Sequence, residues 1–283
     1  MIAAIRLLVF AVVLASLSID ARPAGAQQPS APAPPQPYEP RVGQPGKDVV
    51  WVPTPPSVVE LMLDMAKVTK DDFVMDIGSG DGRNIIAAAK RGARGVGVEY
   101  NPDMVALSTK LATEAGIGDR ATFVQGDMYE ADISKANVMA IFLLTTNMEK
   151  LLPSFKSLAP GSRIVSNTFG FNEWDPDARD SVKDGSCSSW CEALLWIVPA
   201  HAAGTWAIDS GMLTLTQMHQ VLYGTLATTT GDTPISNARM RGYDITFTAG
   251  ERTYTGRLDG ATMQGSVSGP AGTQTWKATR ITR

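Results

Sequence analysis

The chain has 283 residues, 44% of them hydrophobic and 19% charged, with a net charge of -3 and an isoelectric point near 5.5. That length carries a full core and more than one domain. The charge balance, and the lack of a Lys/Arg cluster interleaved with aromatic residues, exclude a broad electrostatic footprint for nucleic acid, so no nucleic-acid partner is expected.

Residues 1–26 read as a signal peptide. Arg6 supplies the positive start, Leu7 to Ala15 the apolar run and Ala24-Gly25-Ala26 the small residues of a cleavage site. The apolar run is short against the roughly 20 residues of a spanning helix, and no cysteine lies near the cleavage site to accept a lipid. The expectation is an exported protein, periplasmic or secreted, with no integral membrane segment after cleavage. The alternative is a membrane anchor formed by an uncleaved signal. Residues 27–47 form a Pro-rich linker, too poor in apolar side chains for a core.

Over residues 48–202 apolar runs alternate with amphipathic segments, which predicts βαβ units in a doubly wound, mainly parallel α/β sheet. Helices are predicted over Ser57 to Lys67, Arg83 to Arg91, Pro102 to Ala115 (with Asn101 as its cap) and Met148 to Leu158, the last kinked at Pro153. Strands are predicted over Phe73 to Ile77, Gly95 to Glu99, Ala121 to Gln125, Ala136 to Leu144, Arg163 to Asn167 and Ala193 to Val198, with Gly170 to Ser189 irregular. Residues 203–283 read as an all-β domain, an antiparallel meander or small barrel. Its predicted strands are Gly204 to Ile208, Met212 to Met218, Val221 to Thr228, Arg239 to Thr248, Thr253 to Leu258, Thr262 to Val267 and Thr275 to Ile281.

The chemistry gathers at the strand ends. Val74 to Ile77 runs into Gly78-Ser79-Gly80-Asp81-Gly82-Arg83, a glycine-rich turn between a buried strand and a helix. Such a turn lets the backbone approach a ligand and aims N–H groups and a positive helix end at an anion. Asp76 can fix that turn or receive a ligand's ammonium group. A dinucleotide site wants glycine where this chain has Arg83. Glu99 ends the second strand, where an acid can take two ribose hydroxyls. In Gly126-Asp127-Met128, Asp127 suits the exocyclic amine of adenine and Met128 its ring.

The segment from Trp51 to about Ala200 resembles the seven-strand S-adenosylmethionine-dependent methyltransferases. More narrowly, Trp51-Val52-Pro53-Thr54-Pro55, Asp76 to Arg83 and Gly92 to Glu99 are similar to bacterial relatives of the ATP-synthase c-subunit lysine methyltransferases. The resemblance implies S-adenosylmethionine as cofactor, held by Pro53, Thr54, Asp76, Gly78, Ser79, Gly80, Asp81, Gly82, Glu99, Tyr100, Asn101, Asp127 and Met128. It also implies methylation of a protein lysine. The alternatives are a small-molecule methyl acceptor, or an exported binding protein that keeps the cofactor site without turnover.

A nitrogen acceptor must be neutral to attack, so a lysine needs desolvation or a base. At the end of the fourth strand Asn147 is the candidate to orient the acceptor or the cofactor's methionine end, with helix capping as its other role, and Glu149 is a weaker candidate base. Cys187 and Cys191, the only cysteines, suit a disulfide in an oxidising compartment and a pair of free thiols in a cytosolic one. His201 and His219 have no ligand spacing with them, and no metal site is expected. Trp174 and Trp190 in the polar insert either cover the acceptor site or, preferably, pack the insert onto the core. Gly204-Thr205-Trp206 resembles the strand opening of lipocalin- and avidin-like barrels, for which a filled interior is expected.

Overall fold

A computed structural model describes residues 38–281. The signal peptide and most of the Pro-rich linker therefore lie outside the described residues. In the first half, strands β1 (Phe73–Ile77), β2 (Arg94–Glu99), β3 (Ala121–Gln125), β4 (Val138–Ile141) and β5 (Arg163–Asn167) run parallel. Two more, β6 (Ala178–Ser181) and β7 (Glu192–Ile197), pair antiparallel at one side. The order across the sheet is β3-β2-β1-β4-β5-β7-β6, so the strand sequence reverses between β1 and β4. A ligand crevice opens at such a switch point, beyond the carboxyl ends of the strands.

Each central strand is buried on both faces, and its side chains alternate between two cores. Val74, Val138, Ala140 and Val165 join one core with Val58, Met62 and Leu63 of α1 (Pro56–Met65) and Ile85, Ala88 and Ala89 of α2 (Arg83–Lys90). Met75, Ile77, Met139, Ile141 and Ile164 join the other with Met148, Leu151 and Phe155 of α4 (Thr145–Lys156). Each of the larger side chains contributes about 1.5–3 kcal/mol on burial, so both faces of the sheet are held under helices. Between β2 and β3, helix α3 (Pro102–Glu114) starts with Pro102 at its first turn, and its cap Asn101 accepts the Asp103 amide at 2.9 Å.

Two expectations in this half change. The fourth strand stops at Ile141, not Leu144, and α4 starts at Thr145 and carries Pro153 in its interior. The irregular insert contains β6, an edge strand whose alternation is faint because it pairs on one side only. The remainder of the insert is anchored by Trp174. That side chain is fully buried, stacks on Phe171 and on His219 of the second half, and its carbonyl accepts the Trp196 indole N–H at 2.7 Å.

Eight antiparallel strands form a closed barrel over the second half: β8 (Gly204–Ile208), β9 (Gly211–Met218), β10 (Val221–Thr228), β11 (Gly231–Arg241), β12 (Asp244–Ala249), β13 (Arg252–Asp259), β14 (Thr262–Gly269) and β15 (Gly272–Arg280). The predicted strand Arg239 to Thr248 is two strands, β11 and β12, joined at Gly242-Tyr243. Closure comes from pairing of β15 with β8, which leaves no free edge. Trp206, Phe247, Tyr254, Trp276, Met240 and Met263 are buried inside, with Phe247 stacked on Tyr254 and Trp276 edge-on to both. No helix among the described residues is long and apolar enough to cross a membrane.

Candidate active site

The crevice at the β1–β4 switch point holds a cavity of about 250 Å³ and, beside it, a smaller chamber of about 30 Å³. Trp51, Val52, Gly78 and Phe142 line both and so form the partition. Glu99, Tyr100, Asn101, Asp127 and Met128 line the larger space. Pro53, Thr54, Asp76, Ser79, Gly80 and Asp81 line the smaller one. Of the residues expected to hold a cofactor, Gly82 lines neither; it forms the left-handed start of α2 beneath the turn.

The turn does not aim its amides at the cavity as expected. Gly78 and Ser79 donate to the Val98 carbonyl, at 2.7 and 3.0 Å, and Gly82 donates to the Ser79 carbonyl at 2.9 Å. Gly80 donates to Glu99 Oε2, and Asn101 donates to Glu99 Oε1, both at 2.9 Å. Positive φ at Gly78, Gly80 and Gly82 curls the turn against β2, and that curl spends the amides of residues 78, 79, 80 and 82 internally. Each Glu99 oxygen keeps a further lone pair, because an ionised carboxylate offers about four acceptor positions.

In the small chamber Asp76 is buried and accepts from Asn84 Nδ2 at 2.9 Å through one oxygen; its other oxygen, Ser79 Oγ and Asn84 Oδ1 have no partner. Burial pushes the Asp76 carboxyl up to about 8, helped by the nearby Glu99 and Asp81 charges and opposed by the Asn84 hydrogen bond. Arg83 lines the same chamber. Three of its five N–H groups are engaged, on both oxygens of Asp81 and on the Thr54 carbonyl, which leaves two N–H groups beside the chamber. A buried acid with one oxygen unpartnered and a partly free guanidinium lining one chamber suit the two charged ends of an amino-acid zwitterion.

Asp127, in the large cavity, is paired with Lys47 and accepts the Tyr129 amide at 2.9 Å. The Lys47 ammonium, then the Tyr129 amide, hold its carboxyl below the usual range. Lys47 lies on the segment Gln44 to Val52, which forms one wall, and stands 5.3 Å from the centre of the Tyr100 ring. Phe142, Leu143, Leu144, Phe169 and Trp190 add an apolar wall. Trp190 thus departs from the preferred core-packing role, which Trp174 fulfils; it is 44% exposed at the cavity. Cys187 and Cys191 behind it are joined as a disulfide.

Asn147 lines neither chamber. It is buried in the first turn of α4, donates to Tyr129 Oη at 2.8 Å, and is not the cap, which is Leu144. Glu149 accepts the Asn172 amide at 2.6 Å and so pins the insert. No group of three or more His, Cys, Asp or Glu side chains suited to a metal occurs among the described residues.

The ANTKMT methyltransferase domain family matches residues 76–178. A protein-lysine N-methyltransferase of Saccharolobus islandicus is 41% identical over 156 residues, which is 54% of this chain and 96% of that protein. The chain belongs to the protein-lysine N-methyltransferase family. This methyltransferase is also similar to the human ATP synthase c-subunit lysine N-methyltransferase, at 34% identity over 45% of its own length, but spans only 54% of that relative. A crystal structure of an RNA methyltransferase from Salinibacter ruber in complex with S-adenosyl-L-homocysteine is 43% identical, covers 53% of this chain and 95% of its own, and superposes with a TM-score of 0.50. The methyltransferase is therefore an S-adenosylmethionine-dependent enzyme, whose sheet carries the family's fold and whose barrel lies beyond the matched segment.

Proposed function

We propose that this enzyme methylates the side-chain nitrogen of a lysine in a protein acceptor. The observation that carries the reading is the likeness to a protein-lysine N-methyltransferase, which spans 96% of that protein and 54% of this chain, joined to a cavity lined by acids and by an apolar wall. When bound, S-adenosylmethionine supplies an electrophilic methyl group on a sulfonium. Asp76 receives its ammonium and Arg83 its carboxylate; Glu99 accepts the ribose hydroxyls; Asp127 and Met128 take the adenine. The orphaned oxygens of Asp76 and Ser79 support the first of these assignments.

The apolar wall prepares the acceptor. Leu143 and Leu144 withhold water from an amine that has shed its proton, so the lone pair stays free to attack. No side-chain base is assigned, because neither Asn147 nor Glu149 lines the cavity. Held in line, the reaction draws its acceleration from positioning.

Export to a periplasmic or extracellular space belongs to the same proposal; the leader from Arg6 to Ala26 and the Cys187–Cys191 disulfide support it. The test is transfer of labelled methyl groups by the purified protein to cell-envelope proteins, small metabolites and total RNA, followed by peptide mapping. Label on lysine is expected. Label confined to RNA or to small molecules overturns the lysine assignment.

A further inference from the structure

We infer that Phe142, Phe169 and Trp190 form the subsite that holds the acceptor's amino group, and that the Cys187–Cys191 disulfide serves to place Trp190 in it. The inference rests on the lysine reading above for its substrate, and on separate geometry for its residues.

Three distant segments meet here: Phe142 just after β4, Phe169 just after β5, and Trp190 just before β7. Their ring centres lie 6.1 Å apart for Phe142 and Phe169, 6.3 Å for Phe142 and Trp190, and 5.2 Å for Phe169 and Trp190. All three line the larger cavity, and Phe142 continues into the partition with the small chamber. Aromatic faces attract an ammonium or methylated ammonium within about 6 Å of the ring centre. The chain's own cations sit on other rings: among the described residues Lys47, Lys150, Arg257 and Arg280 stand over Tyr100, Tyr129, Tyr243 and Trp206. Phe142 and Phe169 stack with planes 12° apart and Trp190 is tilted to both, so each ring has only the face turned from its neighbours for a cation from outside.

Trp190 is held there against its backbone preference. Its φ is +58°, a left-handed conformation that a bulky residue keeps only when its surroundings over-determine it. Two restraints do so. Fully buried Asn167 donates through Nδ2 to the Trp190 carbonyl at 2.5 Å and to the Glu192 carbonyl at 3.0 Å. The disulfide, with Cα atoms 5.7 Å apart across four residues, closes the loop around Trp190. So short a loop adds little restraint to the unfolded chain, so its contribution is local placement. Packing on Phe142 and Phe169 also holds Trp190 but leaves it half exposed, whereas Trp174 of the same insert is fully buried among aromatic neighbours.

The test titrates three peptides into cofactor-free protein: one with trimethyl-lysine, one with lysine, and one with the uncharged tert-butyl isostere of trimethyl-lysine. The trimethyl-lysine peptide is expected to bind about tenfold tighter than the isostere. Trp190→Ala should erase that difference, and Trp190→Phe should restore part of it. In turnover, Trp190→Ala and the double variant Cys187→Ser/Cys191→Ser should raise the acceptor KM by about tenfold, with kcat and cofactor Kd little changed. Equal binding of onium and isostere, or an unchanged acceptor KM in Trp190→Ala, overturns the subsite. So does a Trp190→Ala protein that loses affinity for the sulfonium donor but not for its thioether product, because the trio then serves the donor. If the onium preference and its loss in Trp190→Ala hold while no lysine is methylated, the lysine reading falls and the subsite stands. If lysine is methylated without any onium preference, the subsite falls alone.

Discussion

Glu99, at the end of β2, accepts the amide of Gly80, in the turn after β1, at 2.9 Å, and so ties the acid proposed for the ribose to the glycine-rich turn. Its other oxygen accepts the Asn101 amide at 2.9 Å. Glu99→Ala should therefore weaken S-adenosylmethionine binding by about 1–3 kcal/mol through lost charge-assisted hydrogen bonds. Glu99→Gln should rescue little, since its NH₂ group would face one of the two backbone N–H donors. Calorimetry with the donor and its demethylated product reads the effect; unchanged affinity in Glu99→Ala removes the ribose assignment.

Asp76 predicts a proton balance. Burial raises its carboxyl from 3.8 to about 8, so between those values the folded protein holds a proton that the unfolded chain has lost. Its contribution to stability is full below pH 3.8 and declines as pH rises to about 8. Thermal melts of the cofactor-free protein should decline less steeply over that window in Asp76→Asn. A ligand ammonium placed against Asp76 favours the carboxylate, so binding near pH 7 should release up to about one proton. Calorimetry in buffers of different ionisation enthalpy measures that release, and a buffer-independent heat would remove Asp76 as the ammonium's partner.

Strand ends were legible where buried runs meet turn residues. Asp76, Glu99 and Asp127 sit at or just past the ends of β1, β2 and β3, and parallel pairing brings all three to one crevice. The fourth strand shows why the rest was not. Its apolar run continues through Phe142, Leu143 and Leu144, but pairing stops at Ile141; the three residues beyond line the cavity, and Asn147 is carried into a buried helical turn. In the barrel, residues between the predicted strands ending at Thr228 and starting at Arg239, among them Asp232, Pro234 and Asn237, lie inside β11, which is irregular in register against both neighbours and has φ +49° at Asn237. Lys47 was hidden for a different reason: its partner Asp127 is 80 residues away, and no local pattern encodes that contact.

The Lys47–Asp127 pair makes salt a probe of the adenine end. If the adenine amine takes the Asp127 oxygen that Lys47 holds, the two compete for it. The pair is accessible, so added salt screens it. Cofactor affinity of the native protein should then rise with ionic strength between low and physiological salt. Lys47→Gln should bind the cofactor more tightly at low salt and lose that dependence. Titrations at two salt concentrations decide the matter, and identical salt slopes for both proteins would free Asp127 from the proposed role.

Gly80 and Gly82 are two residues apart in one turn, both at positive φ, and should fail in different ways when changed to alanine. A Cβ on Gly80 would collide with the Trp51 indole nitrogen. Trp51 is only partly buried and can swing away, but it forms the partition between the chambers. Gly80→Ala should thus cost about 1–3 kcal/mol of backbone strain in stability and also disrupt cofactor binding. A Cβ on Gly82 would meet the Phe123 ring at 2.5 Å and Ser108 Cβ at 2.8 Å, both buried between α3 and the sheet, where neither can withdraw. Overpacking then adds to strain by about another 1–3 kcal/mol. Gly82→Ala should melt several degrees below Gly80→Ala, while any Gly82→Ala protein that does fold retains more cofactor affinity, because Gly82 does not line the site. Melting curves and calorimetry on the two variants check this, and the reverse ranking would show that Trp51 packs the turn without shaping the cavity.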